Sequence, residues 1–118
     1  MATPNIVNVA TINAKNATGA VTTSRASAVD VSADKVAKIN TILICNIDGS
    51  DAANITIEVS VDNGSNYVAI ASTISVPADA TLSFLENPIY LDETDLLAFT
   101  ASAANDLTYF VSYELLVD

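Results

Sequence analysis

The stretch ITIEVSVDNGSNYVAIA, residues 55–71, decides the fold class. Ile55, Ile57, Val59 and Val61 alternate with Thr56, Glu58, Ser60 and Asp62. A period of two gives a strand with one dry face and one wet face. Asp62-Asn63-Gly64-Ser65 separates this run from Tyr67-Val68-Ala69-Ile70-Ala71. Asn and Gly both accept a positive φ, so Asn-Gly between apolar runs predicts a hairpin.

Further strands are read outward from this hairpin. Residues 6–12 alternate weakly. Residues 36–47 are mostly apolar after Lys38, which predicts a central strand buried on both faces, with Cys45 as a buried free thiol. Ser72 to Val76 stops at Pro77, which has no N–H for a ladder bond. Thr81 to Leu85 follows, then a turn at Asn87-Pro88 and the short run Ile89-Tyr90-Leu91. Leu96 to Ala101 reads as a strand, and so does Leu107 to Val117. In that last run Thr108, Phe110, Ser112 and Glu114 oppose Tyr109, Val111, Tyr113 and Leu115. Its apolar end is expected to lie at an exposed sheet edge. No segment has a helical period, although Ser32-Ala33-Asp34-Lys35 is compatible with a single helical turn.

About eight short strands at roughly eight-to-twelve-residue spacing predict an all-β protein. The expected architecture is a single antiparallel β-sandwich, jelly-roll or Ig-like, with an extended N-terminal arm. Residues 35–118 are expected to form the sandwich and residues 1–34 the arm or an edge segment. The segment 13–34 is rich in Ala, Thr, Ser and Asn, so it buries little apolar surface by itself. The chain of 118 residues fits one domain.

Charge narrows the partners. The formal net charge is −10, with 14 acidic and 4 basic residues. Such a surface repels phosphate backbones and anionic lipid, so neither a nucleic-acid nor a membrane partner is expected. The bases Lys15, Arg25, Lys35 and Lys38 all precede residue 39, opposed there only by Asp30 and Asp34. Every other acid lies in residues 39–118, where no base occurs. These four bases are the candidate contacts to a neighbouring acidic subunit. No apolar run approaches the eighteen or so residues of a membrane span. The first ten residues lack a secretion-signal pattern, so a product made in the cytoplasm is expected. Sequons at Asn16, Asn54 and Asn63 carry little weight in that setting.

Enzyme chemistry is not expected. The chain has no histidine and one cysteine, which excludes a Ser-His-Asp triad, a Cys-His pair and a tetrahedral zinc site. Glycine-rich phosphate loops are absent, and no cofactor is expected. Hard oxygen ligands for calcium are the remaining metal chemistry. Asp92, Glu93 and Asp95 form the stronger candidate cluster, with Asp48 and Asp51 in a second loop and Asp62 at the opposite end of the intervening strand. Acidic turns are common on acidic proteins, and Asp48-Gly49-Ser50 is good turn chemistry by itself. Without Trp, and with Tyr109 and Tyr113 on one strand face, an aromatic platform for sugar is not expected.

Several phrases carry a family resemblance. They are Lys38-Ile39-Asn40-Thr41-Ile42, Asn46-Ile47-Asp48-Gly49, residues 52–59, residues 70–82, Ile89-Tyr90-Leu91, Ala101-Ser102-Ala103 and Val111-Ser112-Tyr113-Glu114. Over residues 36–115 the chain resembles small β-sandwich virion structural proteins of tailed bacteriophages, of the marine and cyanobacterial type. The resemblance implies a capsid decoration or cement protein, located in the virion. Its implied partners are the major capsid protein, other virion proteins and further copies of itself, such as a trimer. A tail, fibre or host-adsorption component is the alternative.

Overall fold

A computed structural model describes residues 10–118. Nine strands make two antiparallel sheets, with no helix among the described residues. In chain order they are β1 (Thr11–Ala20), β2 (Ala26–Asp30), β3 (Lys35–Asn46), β4 (Ala53–Ser60), β5 (Val68–Val76), β6 (Thr81–Ser83), β7 (Ile89–Leu91), β8 (Leu96–Ala101) and β9 (Leu107–Val117). One sheet runs β1-β9-β3-β6, with β7 also paired to β3; the other runs β2-β8-β4-β5. The pairs nest. Strand β4 pairs with β5, β3 with β6 and β7, β2 with β8, and β1 with β9, as in one long hairpin folded across two layers. The β-sandwich expected from the sequence is present.

The core lies between the sheets. Ile39, Ile42, Ile44 and Val111 of the first sheet are fully buried, as are Ile55, Ile57 and Leu97 of the second. Phe99 meets Tyr109 across the interior at 5.0 Å between ring centroids, tilted by 58°. That tilted, offset geometry is the favourable one for aromatic pairs. Gly19 lies opposite Tyr109, and a Cβ there would come within 3.0 Å of the ring.

Bulges explain where the period of two breaks. Residues paired to β9 shift register between Ile39 and Thr41, leaving Asn40 extra. The shift lets Ile39 and Ile42, three apart in sequence, face the same interior. It also places Leu43 and Cys45 on the outer face of β3, half-buried. The expectation of a strand buried on both faces is therefore corrected, and Cys45 is not a core thiol. Strand β4 ends at Ser60, which is 0 % exposed, while Val61 swings out to 74 %. The alternation of the sequence runs one residue pair too far.

Three further expectations change. Residues 32–35 form a β2–β3 turn with Asp34 at φ 62°, not a helical turn. Four residues cannot meet the cost of helix nucleation, and the alternating Val29 and Val31 are drawn into the core. Strand β9 is interior to its sheet, between β1 and β3, so its apolar end is not an exposed edge. Residues 11–20 and 26–30 are edge strands of the two sheets. Of the weak strand expected over 6–12, residues 6–9 lie outside the described residues.

Ile57→Ala should destabilise the fold by about 2–5 kcal/mol, the range for large-to-small changes in a packed core. Val61→Ala should change stability by less than about 0.5 kcal/mol. Urea unfolding of both variants checks the corrected boundary of the core.

Candidate interaction surfaces

The four bases divide into two kinds. Arg25, in the β1–β2 link, makes a two-pronged ion pair with Glu58 of β4: Nε to Oε1 at 2.9 Å and Nη2 to Oε2 at 3.1 Å. Its guanidinium also lies over the Tyr67 ring at 4.1 Å from the centroid. The hydrogen bonds to Glu58 hold the Arg25 pKa above its ordinary value. Arg25 thus ties the β1–β2 link to the β4–β5 hairpin and is committed within the chain. Among the described residues this is the only ion pair, so Lys15, Lys35 and Lys38 form none there. These three lysines lie on β1 and the start of β3.

The acidic candidates serve their own turns. In the β7–β8 turn, the Asp92 N–H donates to Asp95 Oδ2 at 2.9 Å and the Glu93 N–H to Asp92 Oδ1 at 2.7 Å. Glu93 Oε2 accepts from the Asp34 N–H at 3.0 Å, tying the neighbouring turn to it. Asp95 is 8 % exposed, and desolvation raises its carboxyl above the usual range. Thr94 takes φ 66° to close the turn. Among the described residues no group of three or more His, Cys, Asp or Glu is arranged to hold a metal ion.

Asp48 behaves as turn chemistry predicts, accepting from the Ser50 N–H at 2.9 Å. The residue that organises this loop is Asn46, which sequence reasoning missed. At 1 % exposure, its Nδ2 donates to the Asp51 carbonyl (3.0 Å) and the Val76 carbonyl (2.9 Å), and its Oδ1 accepts from the Asp48 N–H (2.9 Å). The available signal was a polar residue at the inward parity of Ile42 and Ile44, directly before a turn. Asp106 joins the same end: the Ile47 N–H donates to its carbonyl at 2.7 Å. Desolvation, followed by the charges of Asp48 and Asp51, pushes the Asp106 carboxyl up.

At the other end of β4, Asp62 caps the Asn-Gly turn. Its Oδ1 accepts from Ser60 Oγ (2.9 Å) and the Asn66 N–H (2.8 Å), and its Oδ2 from Asn66 Nδ2 (2.8 Å). The bonds from Asn66 lead in holding its carboxyl below the usual range. Asn63 at φ 58° and Gly64 at φ 86° show the positive angles expected of this pair, inside a longer loop than a two-residue hairpin.

No family model matches the chain, and no curated protein matches it. Among solved structures it is similar to a Bacillus endospore appendage protein, described as one of a family of disulfide-linked pili. The TM-score is 0.54 at 16% identity, covering 91% of this chain and 87% of that one. A pentameric capsid protein from metagenomic phage sequences aligns with TM-score 0.43 at 14% identity, over 86% of this chain and 61% of that one. The Drosophila NLP core gives 0.47 at 14%, over 87% of this chain and 96% of that one. The first of these likenesses is one of fold.

Two outcomes test the loop assignments. Asn46→Ala orphans three backbone partners and should cost about 1–3 kcal/mol by urea unfolding. Asp95 and Asp106 have raised folded pKa values, so the stability they contribute is present at low pH and lost as pH rises through those values. Asp62 has the opposite sign and contributes until pH falls through its depressed value. The melting temperature should therefore rise on mild acidification from neutral pH and fall again in strong acid. Asp106→Asn should flatten the first rise.

Proposed function

We propose that the chain is a non-enzymatic structural protein of a phage virion, acting as a capsid decoration or cement protein. The observation that carries this reading is where the phage-like phrases fall. They fall on β3, β4, β5, β6, β7 and β9, six of the nine strands, and on some of the turns beside them. The nested pairing is read as a jelly roll, a layout used by capsid and lectin domains. The likeness to an appendage subunit supports a role in assembly, because it extends over most of both chains.

A cement protein needs a stable body and a docking surface, and its individual contacts can be weak if several engage together. Lys38 supplies a basic point on one face of β3, while Lys35 of β3 and Lys15 of β1 fall on the other face of the same sheet. The acidic remainder keeps decorated particles apart in solution. The tail, fibre or adsorption reading places the exposed loops 47–52 and 61–67 against a receptor instead.

Antibody against the chain should label the heads of intact particles in lysates of cultures that carry the gene. Label confined to tails would favour the adsorption reading, and unlabelled particles would overturn both. The double variant Lys35→Gln/Lys38→Gln should lose particle binding at unchanged melting temperature, read by co-sedimentation with particles. Removal of residues 1–20 is not a clean test of docking, because β1 pairs along the whole of β9 and Gly19 lies against Tyr109.

A further inference from the structure

Five strands form the four outer edges of the two sheets, and three of those edges are blunted. Strand β5 carries two register shifts against β4, with Thr73 at φ 48° in one of them. Strand β2 is five residues long and shifts register between Ser27 and Val29. The edge along β3 is split into β6 and β7, three residues each, with Pro88 between them. Bulges, short strands and proline are the usual defences against edge-to-edge pairing. Strand β1 has none of these, and Lys15 at its middle is its one edge-blunting charge. It is ten residues long, runs in unbroken register from Thr11↔Val117 to Ala20↔Thr108, and every residue but Ala17 is exposed.

We propose that β1 is a self-association edge, on which a second copy of the chain adds its own β1 antiparallel. The two first sheets then join as β3-β9-β1-β1-β9-β3. Charge selects a second copy over an acid-bearing contact elsewhere. Two chains of net charge −10 repel each other, but β1 carries Lys15 and no acid. The edge is the one long regular strand on which two such chains meet without opposing carboxylates. This inference concerns the isolated chain and does not rest on a virion location.

The register follows from hydrogen-bond parity. The Val21 N–H donates to the Leu107 carbonyl at 2.8 Å, continuing the register of β1 with β9. In an antiparallel ladder, alternate residues bond to the same neighbour. Odd-numbered residues of β1 therefore face β9, and the N–H and C=O of Ile12, Ala14, Asn16, Thr18 and Ala20 face the open side. A two-fold pairing centred on Lys15 would set two ammonium groups directly opposite, which is destabilising. Centring on Asn16 sets Asn16 against Asn16 of the second copy and Lys15 against Ala17. Residues 12–20 then pair throughout.

The test uses the full chain. Sedimentation velocity should show a dimer that weakens on dilution. Asn16→Pro removes an open-edge N–H and no bond to β9; Asn16→Lys places like charges at the two-fold while leaving the backbone intact. Each should weaken dimerisation at least about tenfold, with circular dichroism unchanged. In a Cys45→Ser background, Asn16→Cys should form an intermolecular disulfide on oxidation. Hydrogen-bonded pairs have Cα atoms about 5.5 Å apart, inside the range a disulfide spans. Thr18→Cys, opposite Ala14, should cross-link far less. A wild-type monomer at every concentration overturns the proposal, as does a dimer untouched by both Asn16 variants or cross-linking equally well from Thr18→Cys.

Discussion

The pairing of β3 with β9 is the interaction on which the rest of the molecule depends. It runs from Lys35↔Val117 to Asn46↔Leu107, the full length of both strands. β9 is also the only neighbour of β1, and β3 is the only neighbour of β6 and β7. Without this ladder the first sheet falls into two pieces, β1 with β9 and β3 with β6 and β7. Its inward residues, Ile39, Ile42, Ile44, Leu107 and Val111, are also the surface on which the second sheet packs. Non-local pairing of this kind closes a long loop before it gains contacts, so the nested order makes the inner β4–β5 hairpin the natural first partner.

Legibility in the sequence tracked local pattern. Strand β4 was legible because alternate residues along most of it are buried, and β8 and β9 were legible as apolar runs bounded by turn residues. The interior of β3 was legible as apolar, but its two faces were not told apart, because the bulge at Asn40 shifts the parity midway. Strands β1 and β2 were read only as an arm or edge segment. Their small polar residues carry no alternation, and their extended form is imposed by β9 and β8 as templates. The buried polar residues were hidden for a related reason. Asn46 and Ser60 sit at strand ends where inward parity meets a turn, so polarity alone suggested solvent.

The acidic residues present a consistent physical picture. Asp48, Asp62, Asp92 and Asp95 each accept a backbone N–H from one to four residues away. A sandwich of short strands needs many tight turns, and aspartate supplies a local acceptor for each. Much of the negative charge is thus a by-product of turn chemistry rather than a ligand set. Where turns from different parts of the chain converge, as Asp48, Asp51 and Asp106 do, desolvation, with repulsion added to it, raises the Asp106 carboxyl.

Edge protection then becomes informative about β1. Its residues gain little from burial: nine of the ten are exposed, and the strand has one neighbour. A segment held by one ladder with few apolar contacts belongs to the low-stability end of a structure and opens readily. Yet Gly19 packs beneath the Tyr109 ring, so loss of β1 would uncover an aromatic residue that belongs to the core's margin. The isolated fold therefore has a weak strand guarding a necessary contact. A second ladder on the open side would hold β1 from both edges and shield that margin, and anything that binds only the ordered strand raises its stability by mass action. Order in β1 and occupation of its open edge are, on this argument, one equilibrium.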